Sequence, residues 1–314
     1  MINLVNISSG RILLACLILV IFVVFCSSCS SEPHIMFSDY PNKGPISNDG
    51  YNAVLATTDL KTGDNRFSFL LTSPEGFVSE EDVVLRIYQG GSKAMPVEYV
   101  PDFIRWDSLT RGTYVGHVNF PDAGMWEASI DFNDSGARRS VKLFFDVSPT
   151  SQSPLVGEAV PLSESKTINS VDRIEDLSTG SLIYVNLYEM SIRDAIYESK
   201  PLITTFSSPA FCISEVCGPQ VEVLNELSIS LVGKINTIHV DVYADPPEAQ
   251  LDIDSANYSE IFLEWGLNSP QWTFLTDCEG KVFRKYQGFA AKSEIVSDVA
   301  GMFSKDTYST GCTS

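Results

Sequence analysis

Hydrophobic and polar positions divide this chain into stretches with different periodicities. Residues 12–26, ILLACLILVIFVVFC, form one unbroken apolar run. From residue 51 to residue 147, short segments such as RFSFLLTS and SVKLFFDV alternate apolar and polar positions, and turn clusters such as PEG, PDAG and NDSG separate them. Such alternation, with turns at a spacing of roughly 8 to 12 residues, is typical of a β-sandwich. We therefore expect an all-β domain over residues 47–147.

The second half of the chain mixes strand-like and helix-like patterns. Residues 148–182 begin with a polar, proline-punctuated stretch and are predicted to be a linker. Beyond them, KPLITTFSS and KINTIHVDVYAD are predicted to be buried strands, WTFLTDCEGKVFRKYQG a hairpin, and LYEMSIRDAIYES, PQVEVLNELSISL, SEIFLEWGL and AKSEIVSDVAGMF helices. Strands that alternate with helices predict an α/β domain. We place it at residues 183–306, followed by a C-terminal tail at 307–314.

The apolar run near the N-terminus predicts export. Arg11 precedes it, and its fifteen residues fall short of the roughly 20 that a helix needs to cross a bilayer, which favours a signal peptide over residues 1–29. The small residues before Cys29 resemble the end of a bacterial lipoprotein signal, which implies lipid attachment at Cys29. An uncleaved anchor and simple secretion stay open. Residues 30–46 are predicted to be a flexible tether.

The net charge of the chain disfavours some classes of binding partner. The chain has 21 Lys+Arg against 40 Asp+Glu, a formal net charge of -19. Nucleic acid is excluded as an expected partner, because phosphate binding requires the opposite sign. Together with the export signal, this composition predicts an extracytoplasmic protein, either anchored at the outer face of the bacterial cell membrane through its N-terminal lipid or anchor, or secreted.

Four cysteines follow the export segment, namely Cys212, Cys217, Cys278 and Cys312. An even number is compatible with disulfides, which persist outside the cytoplasm. A bridge between Cys278 and Cys312 would tie down the C-terminal tail and is the plain interpretation of that pair.

Cys212 and Cys217 lie in TTFSSPAFCISEVCGPQ, between a predicted strand and a predicted helix. The positive end of a helix dipole favours thiolate and lowers the pKa of a cysteine from its free value of about 8.5. A thiolate there attacks a disulfide, and a second cysteine resolves the mixed disulfide. Cysteines five apart in a continuous helix point in different directions. Pro219, which suits a first helical turn, indicates that the helix begins near Cys217.

The segment PAFC, four residues, CGP, followed by HVDV and WTF, resembles exported bacterial proteins of the thioredoxin-like superfamily over residues 187–303. The resemblance implies a thiol-disulfide oxidoreductase that acts on a protein disulfide or thiol client, with no cofactor and no metal. It also implies a client-facing loop at Pro270, Gln271 and Trp272. The segment GTYVGHVNFPDAGMWEASIDF resembles the closing strands of immunoglobulin-like modules. With the thioredoxin-like resemblance, this gives a predicted fold class of two domains. These are an all-β immunoglobulin-like sandwich and then an α/β thioredoxin-like fold.

Two assignments of the cysteines stay open. The distance from the end of the strand favours Cys212 as the nucleophile and Cys217 as the resolving residue. Counting back from Gly218 and Pro219 gives Cys217 the first position instead, with Gln220 in the place of the second cysteine.

Three other functions are compatible with this segment. One type of peroxiredoxin spaces its cysteines in the same way, although Pro209 and Gln271 occupy the places of its threonine and arginine. Copper chaperones of the superfamily pair two cysteines with a histidine, but the alternation of IHVDV makes His239 a structural residue. A stable disulfide that stiffens a non-catalytic exported binding or scaffold module is the last alternative.

Overall fold

The computed structural model describes residues 43–90, 95–106, 111–211 and 216–304. Several predictions fall outside these ranges: the signal peptide 1–29 with its lipid-attachment residue Cys29, most of the tether 30–46, Cys212, and the tail 307–314 with Cys312. Among the helices of the described ranges, none has the length and apolar character needed to cross a bilayer. The described residues all belong to one compact unit.

Strands dominate the described ranges and form three sheets. The first sheet has the order β1-β2-β7-β6, with β3 also paired to β2, the second β5-β4-β8-β9, and the third β11-β10-β12-β13. The strands are β1 Asn52–Leu55, β2 Gly63–Ser73, β3 Gly76–Phe77, β4 Val83–Gln89, β5 Val97–Tyr99, β6 Asp102–Arg105, β7 Gly112–Phe120, β8 Gly124–Asp134, β9 Ala137–Val147, β10 Leu202–Ser207, β11 Asn236–Asp241, β12 Gln271–Thr276 and β13 Val282–Gln287.

The first two sheets are antiparallel throughout and share one apolar core. The core forms because inward-facing residues alternate with partly exposed ones along β8 and with exposed ones along β9, as a half-buried strand requires. Aromatic rings join the two sheets: the ring of Phe145 lies 5.2 Å from that of Phe67 and 5.7 Å from that of Phe120. Phe120 also packs edge-on against Trp126 at 5.1 Å.

The third sheet is mixed and carries the helices. They are α1 Ile192–Tyr197, α2 Cys217–Ser230, α3 Pro246–Leu251, α4 Glu260–Glu264 and α5 Lys292–Phe303. Strands β10 and β11 are parallel and α2 lies between them in the chain, whereas β12 runs antiparallel to both β10 and β13. One face of the sheet packs Phe206 and Phe274 against Trp265 beside α1 and α4.

The predicted fold class, two domains with an α/β thioredoxin-like fold after an immunoglobulin-like sandwich, is wrong. The described chain is mostly β-sheet, in three antiparallel or mixed sheets with few helices. Three of the five described helices have only five or six residues. The predicted helix LYEMSIRDAIYES is interrupted because Ser191 caps a new helix within it, and α1 ends before Ser199, whose φ is 54°. Likewise, α4 stops before Gly266, which takes a φ of 63°.

A buried ion pair joins the first half of the chain to the third sheet. The Lys285 ammonium on β13 donates to the hydroxyls of Ser151 at 2.6 Å and Ser153 at 2.8 Å, and lies 3.4 Å from the Asp59 carboxylate. Burial raises the pKa of Asp59, but hydrogen bonds from Ser151 and Ser153 outweigh it and hold that pKa below 3.8. Burial lowers the pKa of Lys285. The Asp59 carboxylate opposes this shift through its charge and its hydrogen bond with the ammonium.

Arg66 on β2 makes the second connection. Its guanidinium forms a two-bond ion pair with Glu294 on α5, at 2.7 and 2.9 Å. It also donates to the carbonyl oxygens of Gln287 and Phe289, so one side chain holds the end of β13 and the start of α5. The Phe289 ring packs 6.3 Å from Trp106 of the first half.

The predicted linker, residues 148–182, pairs with the chain both before it and after it. Isolated β-bridges pair Ser148 with Lys61 and Ala159 with Lys281. The segment contains a short 3₁₀ helix at Ile174–Leu177 and ends near the site described next.

Candidate functional site

Cys217 is the first residue of α2, the first helix after β10 in the chain. Pro219 lies in the first turn, where a proline removes no helical hydrogen bond. The prediction that the helix begins near Cys217 is therefore confirmed. The Cys217 side chain is 0 % exposed, and its sulfur lies 3.8 Å from the carbonyl oxygen of Pro270.

Cys217 and Cys278 are each disulfide-bonded. They are not bonded to each other, because Cys217 contacts Pro270 just before β12, whereas Cys278 follows the far end of that strand. A strand of six residues spans about 20 Å, and a disulfide requires Cα atoms within about 7 Å. The bonded sulfur of Cys217 has no hydrogen, so its contact with Pro270 is a packing contact and becomes a hydrogen bond only in the thiol form.

Thr179 supports the loop that leads toward Cys212. Its hydroxyl donates to Asp241 at 2.9 Å, so it accepts from the hydroxyl of Ser208 at 2.9 Å and from the amide of Ala210 at 3.4 Å. Gly180 lies directly against Pro209, where an added Cβ would be 3.3 Å from the ring. Thr179 and Gly180, at the end of the predicted linker, therefore contact the residues that follow β10.

The three predicted client-binding residues divide between two faces of the third sheet. Pro270 touches Cys217, and Gln271 begins β12 next to it. Trp272 points to the opposite face, where its ring stacks on Phe274. The structure therefore brings Cys217, Pro270 and Gln271 together and directs the indole of Trp272 away from them.

Gln220 lies one helical turn after Cys217 and is also fully buried. Its side-chain oxygen accepts a hydrogen bond from the amide of Ala290 at 2.8 Å, in the segment between β13 and α5. This bond anchors the first turn of α2 to the third sheet.

Two buried titratable residues lie at the end of β11, on the face of the sheet toward α2. His239 donates through Nε2 to the carbonyl oxygen of Ser207 at 3.1 Å and accepts through Nδ1 from the hydroxyl of Tyr188. A carbonyl can only accept, which fixes this neutral tautomer. Burial lowers the pKa of His239 from 6.5 to about 4.

Asp241 accepts hydrogen bonds from the amide of Thr179 at 2.7 Å and the amide of Tyr243 at 3.1 Å. Burial nevertheless raises its pKa from 3.8 to about 6, because these bonds offset only part of the desolvation cost. Asp241, His239 and Lys166 line a pocket of about 220 Å³.

Within the described residues, no cluster of three or more His, Cys, Asp or Glu side chains is arranged to hold a metal ion. His239 instead has the structural role expected of it, since both of its ring nitrogens are hydrogen-bonded in the core. Sequence reasoning missed Thr179 and Asp241. The one available signal was the spacing of His239 and Asp241, two polar residues on the same face of an otherwise apolar strand.

No protein-family model matches this chain, and a search of curated proteins finds no match either.

Proposed function

We propose that this protein is an exported thiol-disulfide oxidoreductase that uses Cys212 and Cys217 as a redox pair. The observation that carries the proposal is a buried, disulfide-bonded cysteine at the first position of a 14-residue helix. A helix of this length presents unpaired amide groups and a positive dipole end, which stabilise a thiolate. Cys212 is proposed as the bonding partner of Cys217, because the two are joined by only four residues.

The burial of Cys217 favours one order of attack. A sulfur without exposed surface does not reach a disulfide in another protein, whereas it reaches a neighbour in its own loop. Cys212 is therefore proposed as the nucleophile and Cys217 as the resolving residue. The resemblance of the cysteine segment to thioredoxin-like proteins supports this chemistry.

The proposed reaction transfers two electrons to a client disulfide. The Cys212 thiolate attacks one client sulfur, a mixed disulfide forms, and the other client sulfur leaves as a thiolate that takes a proton from water. The Cys217 thiolate then attacks Cys212, the Cys212–Cys217 disulfide forms, and the first client sulfur leaves. A small dithiol or another thiol reductant returns the pair to its reduced form.

Insulin reduction by dithiothreitol, followed by turbidity, tests the proposal. We expect the wild-type protein to accelerate precipitation and Cys212→Ser to abolish the acceleration. Cys217→Ser is expected to accumulate a mixed disulfide with the client, visible on a non-reducing gel, because the resolving sulfur is missing. Cys278→Ser is the matched control, since it removes the other described disulfide cysteine at the far end of β12, and should retain the wild-type rate.

Equal rates for wild type and Cys212→Ser would refute the redox function. The non-catalytic scaffold would then be favoured if the Cys217 disulfide also has a reduction potential below about -300 mV, as structural disulfides do. Consumption of peroxide that depends on Cys212 would instead favour the peroxidase alternative.

The proposed location is extracytoplasmic, with Cys29 as the lipid-attachment residue. Cys29→Ala is expected to move the protein from the membrane fraction to the soluble fraction of cells, because the substitution removes the proposed site of lipid attachment without changing the charge. Arg11→Lys, which keeps the charge before the apolar run, is the control and should leave the protein in the membrane fraction. Retention of Cys29→Ala in the membrane would favour the uncleaved anchor.

A further inference from the structure

Two buried glutamines beside Cys217 have polar atoms without partners. Gln271 is 4 % exposed, and neither its side-chain oxygen nor its nitrogen has a hydrogen-bond partner in the described structure. Gln220 is 0 % exposed, and its side-chain nitrogen lacks a partner in the same part of the chain. An unsatisfied buried amide destabilises the folded state, so native proteins rarely leave one without a reason.

Both glutamines lie on the Cys217 side of the third sheet. Trp272 and Phe274 pack into the core on one face, so Gln271 points to the other face because side chains alternate along a strand. That second face is the one that α2 covers. Tyr188 belongs to a 3₁₀ helix that packs on α2, and its hydroxyl reaches His239 on the same face.

Gln220 approaches Cys217 from within the helix. Residues three apart are neighbours on one side of a helix, with Cβ atoms about 5–6 Å apart. The side-chain oxygen of Gln220 is held by the amide of Ala290, which orients the amide group and leaves its N–H donors unused. Gln271 follows Pro270, whose carbonyl oxygen is already in contact with the Cys217 sulfur.

The oxidised and reduced states make different demands on these amides. A disulfide sulfur is a weak acceptor, so it forms at most a weak hydrogen bond with the buried N–H groups. Reduction breaks the S–S bond with two electrons and leaves a buried Cys217 sulfur, whose thiolate form is costly away from water but a strong acceptor. Donors already buried and oriented at this point would offset that cost without rearrangement.

We propose that Gln220 and Gln271 are positioning residues that donate hydrogen bonds to the Cys217 thiolate and so set the redox equilibrium of its disulfide. The inference deepens the proposed function and rests on it, since it concerns the same redox pair. Their N–H donors have no partner in the described part of the oxidised protein and gain an acceptor on reduction. They therefore destabilise the disulfide form relative to the dithiol form.

The equilibrium with glutathione tests this proposal without any client. Protein is equilibrated with mixtures of reduced and oxidised glutathione, quenched with acid and alkylated, and the peptide that contains Cys217 is quantified by mass spectrometry. Gln271→Met and Gln220→Met keep the side-chain length and remove the donors. Each is expected to lower the equilibrium ratio of reduced to oxidised Cys217 by about tenfold, which corresponds to about 30 mV for a two-electron couple.

Thermal stability gives a second readout that a merely structural role would not produce. Gln271→Met is expected to raise Tm of the oxidised protein, because it removes a buried amide that has no partner in the described structure. In the reduced protein the gain should disappear or reverse. Gln89→Met, at a partly exposed position on β4, is the control and should leave the glutathione equilibrium unchanged.

Equilibrium ratios within twofold of wild type for both variants would overturn the inference, and so would a shift toward the reduced form. The proposed catalytic function is tested separately. A shifted glutathione equilibrium in a protein that does not reduce insulin would keep the role of the two amides and remove the oxidoreductase, whereas insulin reduction with unchanged equilibria would do the opposite.

Discussion

Asp59→Ala is expected to lower the free energy of unfolding by about 3–5 kcal/mol, the usual cost of leaving a buried charge without its partner. The carboxylate is only 5 % exposed and accepts hydrogen bonds from Ser151 and Ser153. Removing it leaves the Lys285 ammonium buried against two hydroxyls without the carboxylate that is hydrogen-bonded to it. Urea unfolding followed by circular dichroism gives the free energy from the midpoint and slope.

A double variant separates the pair from the packing around it. Asp59→Ala combined with Lys285→Met removes both charges, and replacement of a buried ion pair by apolar groups is often neutral, so we expect most of the lost stability to return. The exposed pair of Lys281 and Glu279 is the matched control, and Glu279→Ala should lower the free energy of unfolding far less than Asp59→Ala, because solvent screens an exposed ion pair. An Asp59→Ala loss no larger than that control would contradict the assignment of Asp59 and Lys285 as a buried pair.

His239→Gln and Asp241→Asn are expected to change the pH dependence of stability in opposite directions. The folded protein excludes a proton from His239 until about pH 4, whereas the unfolded chain binds it near pH 6.5. Stability from this residue therefore falls as pH decreases from 6.5 to 4, by about 3 kcal/mol. Asp241 keeps its proton up to about pH 6 when folded, but loses it near 3.8 when unfolded. Its contribution falls as pH increases through that interval, again by about 3 kcal/mol.

In the wild-type protein, the contributions of His239 and Asp241 to the pH dependence of the free energy of unfolding largely cancel between pH 4 and 6. His239→Gln leaves only the Asp241 slope, so its stability should fall with rising pH relative to wild type, and Asp241→Asn should show the reverse. Urea midpoints at pH 4.5 and 6.5 measure the change within each variant, so the constant cost of lost hydrogen bonds drops out. His117→Gln, at an exposed position on β7, is the control. Parallel profiles for all four proteins would contradict the burial of both groups as the cause.

Local patterns predicted the elements of the site better than its contacts. The strand in KPLITTFSS and the helix start near Cys217 could be identified because an apolar run and Pro219 mark them within a few residues. The contact of Thr179 with Asp241 joins residues 62 apart in sequence. No local sequence pattern predicts such a contact, so the sequence places Thr179 in a linker.

Helix content was overestimated for a related reason. Periodicity registers apolar residues at helical spacing but not the caps that divide them, and Ser191 and Ser259 each accept a hydrogen bond that starts a short new helix. The unpaired amides of Gln220 and Gln271 were also beyond sequence reasoning. Whether a buried amide has a partner depends on side chains that several distant elements supply.

The hydrogen bonds of Arg66 to the segment between β13 and α5 affect how truncated forms of this protein would behave. A fragment that starts after residue 147 would lack Arg66, Asp59 and Trp106, and would leave Lys285, Glu294 and Phe289 facing water without the neighbours that cover them. Loss of redox activity in such a fragment would then report damage to the sheet rather than loss of a docking module. Point substitutions on the outer surface of β4, β8 and β9 are the safer way to ask whether the N-terminal half recognises clients.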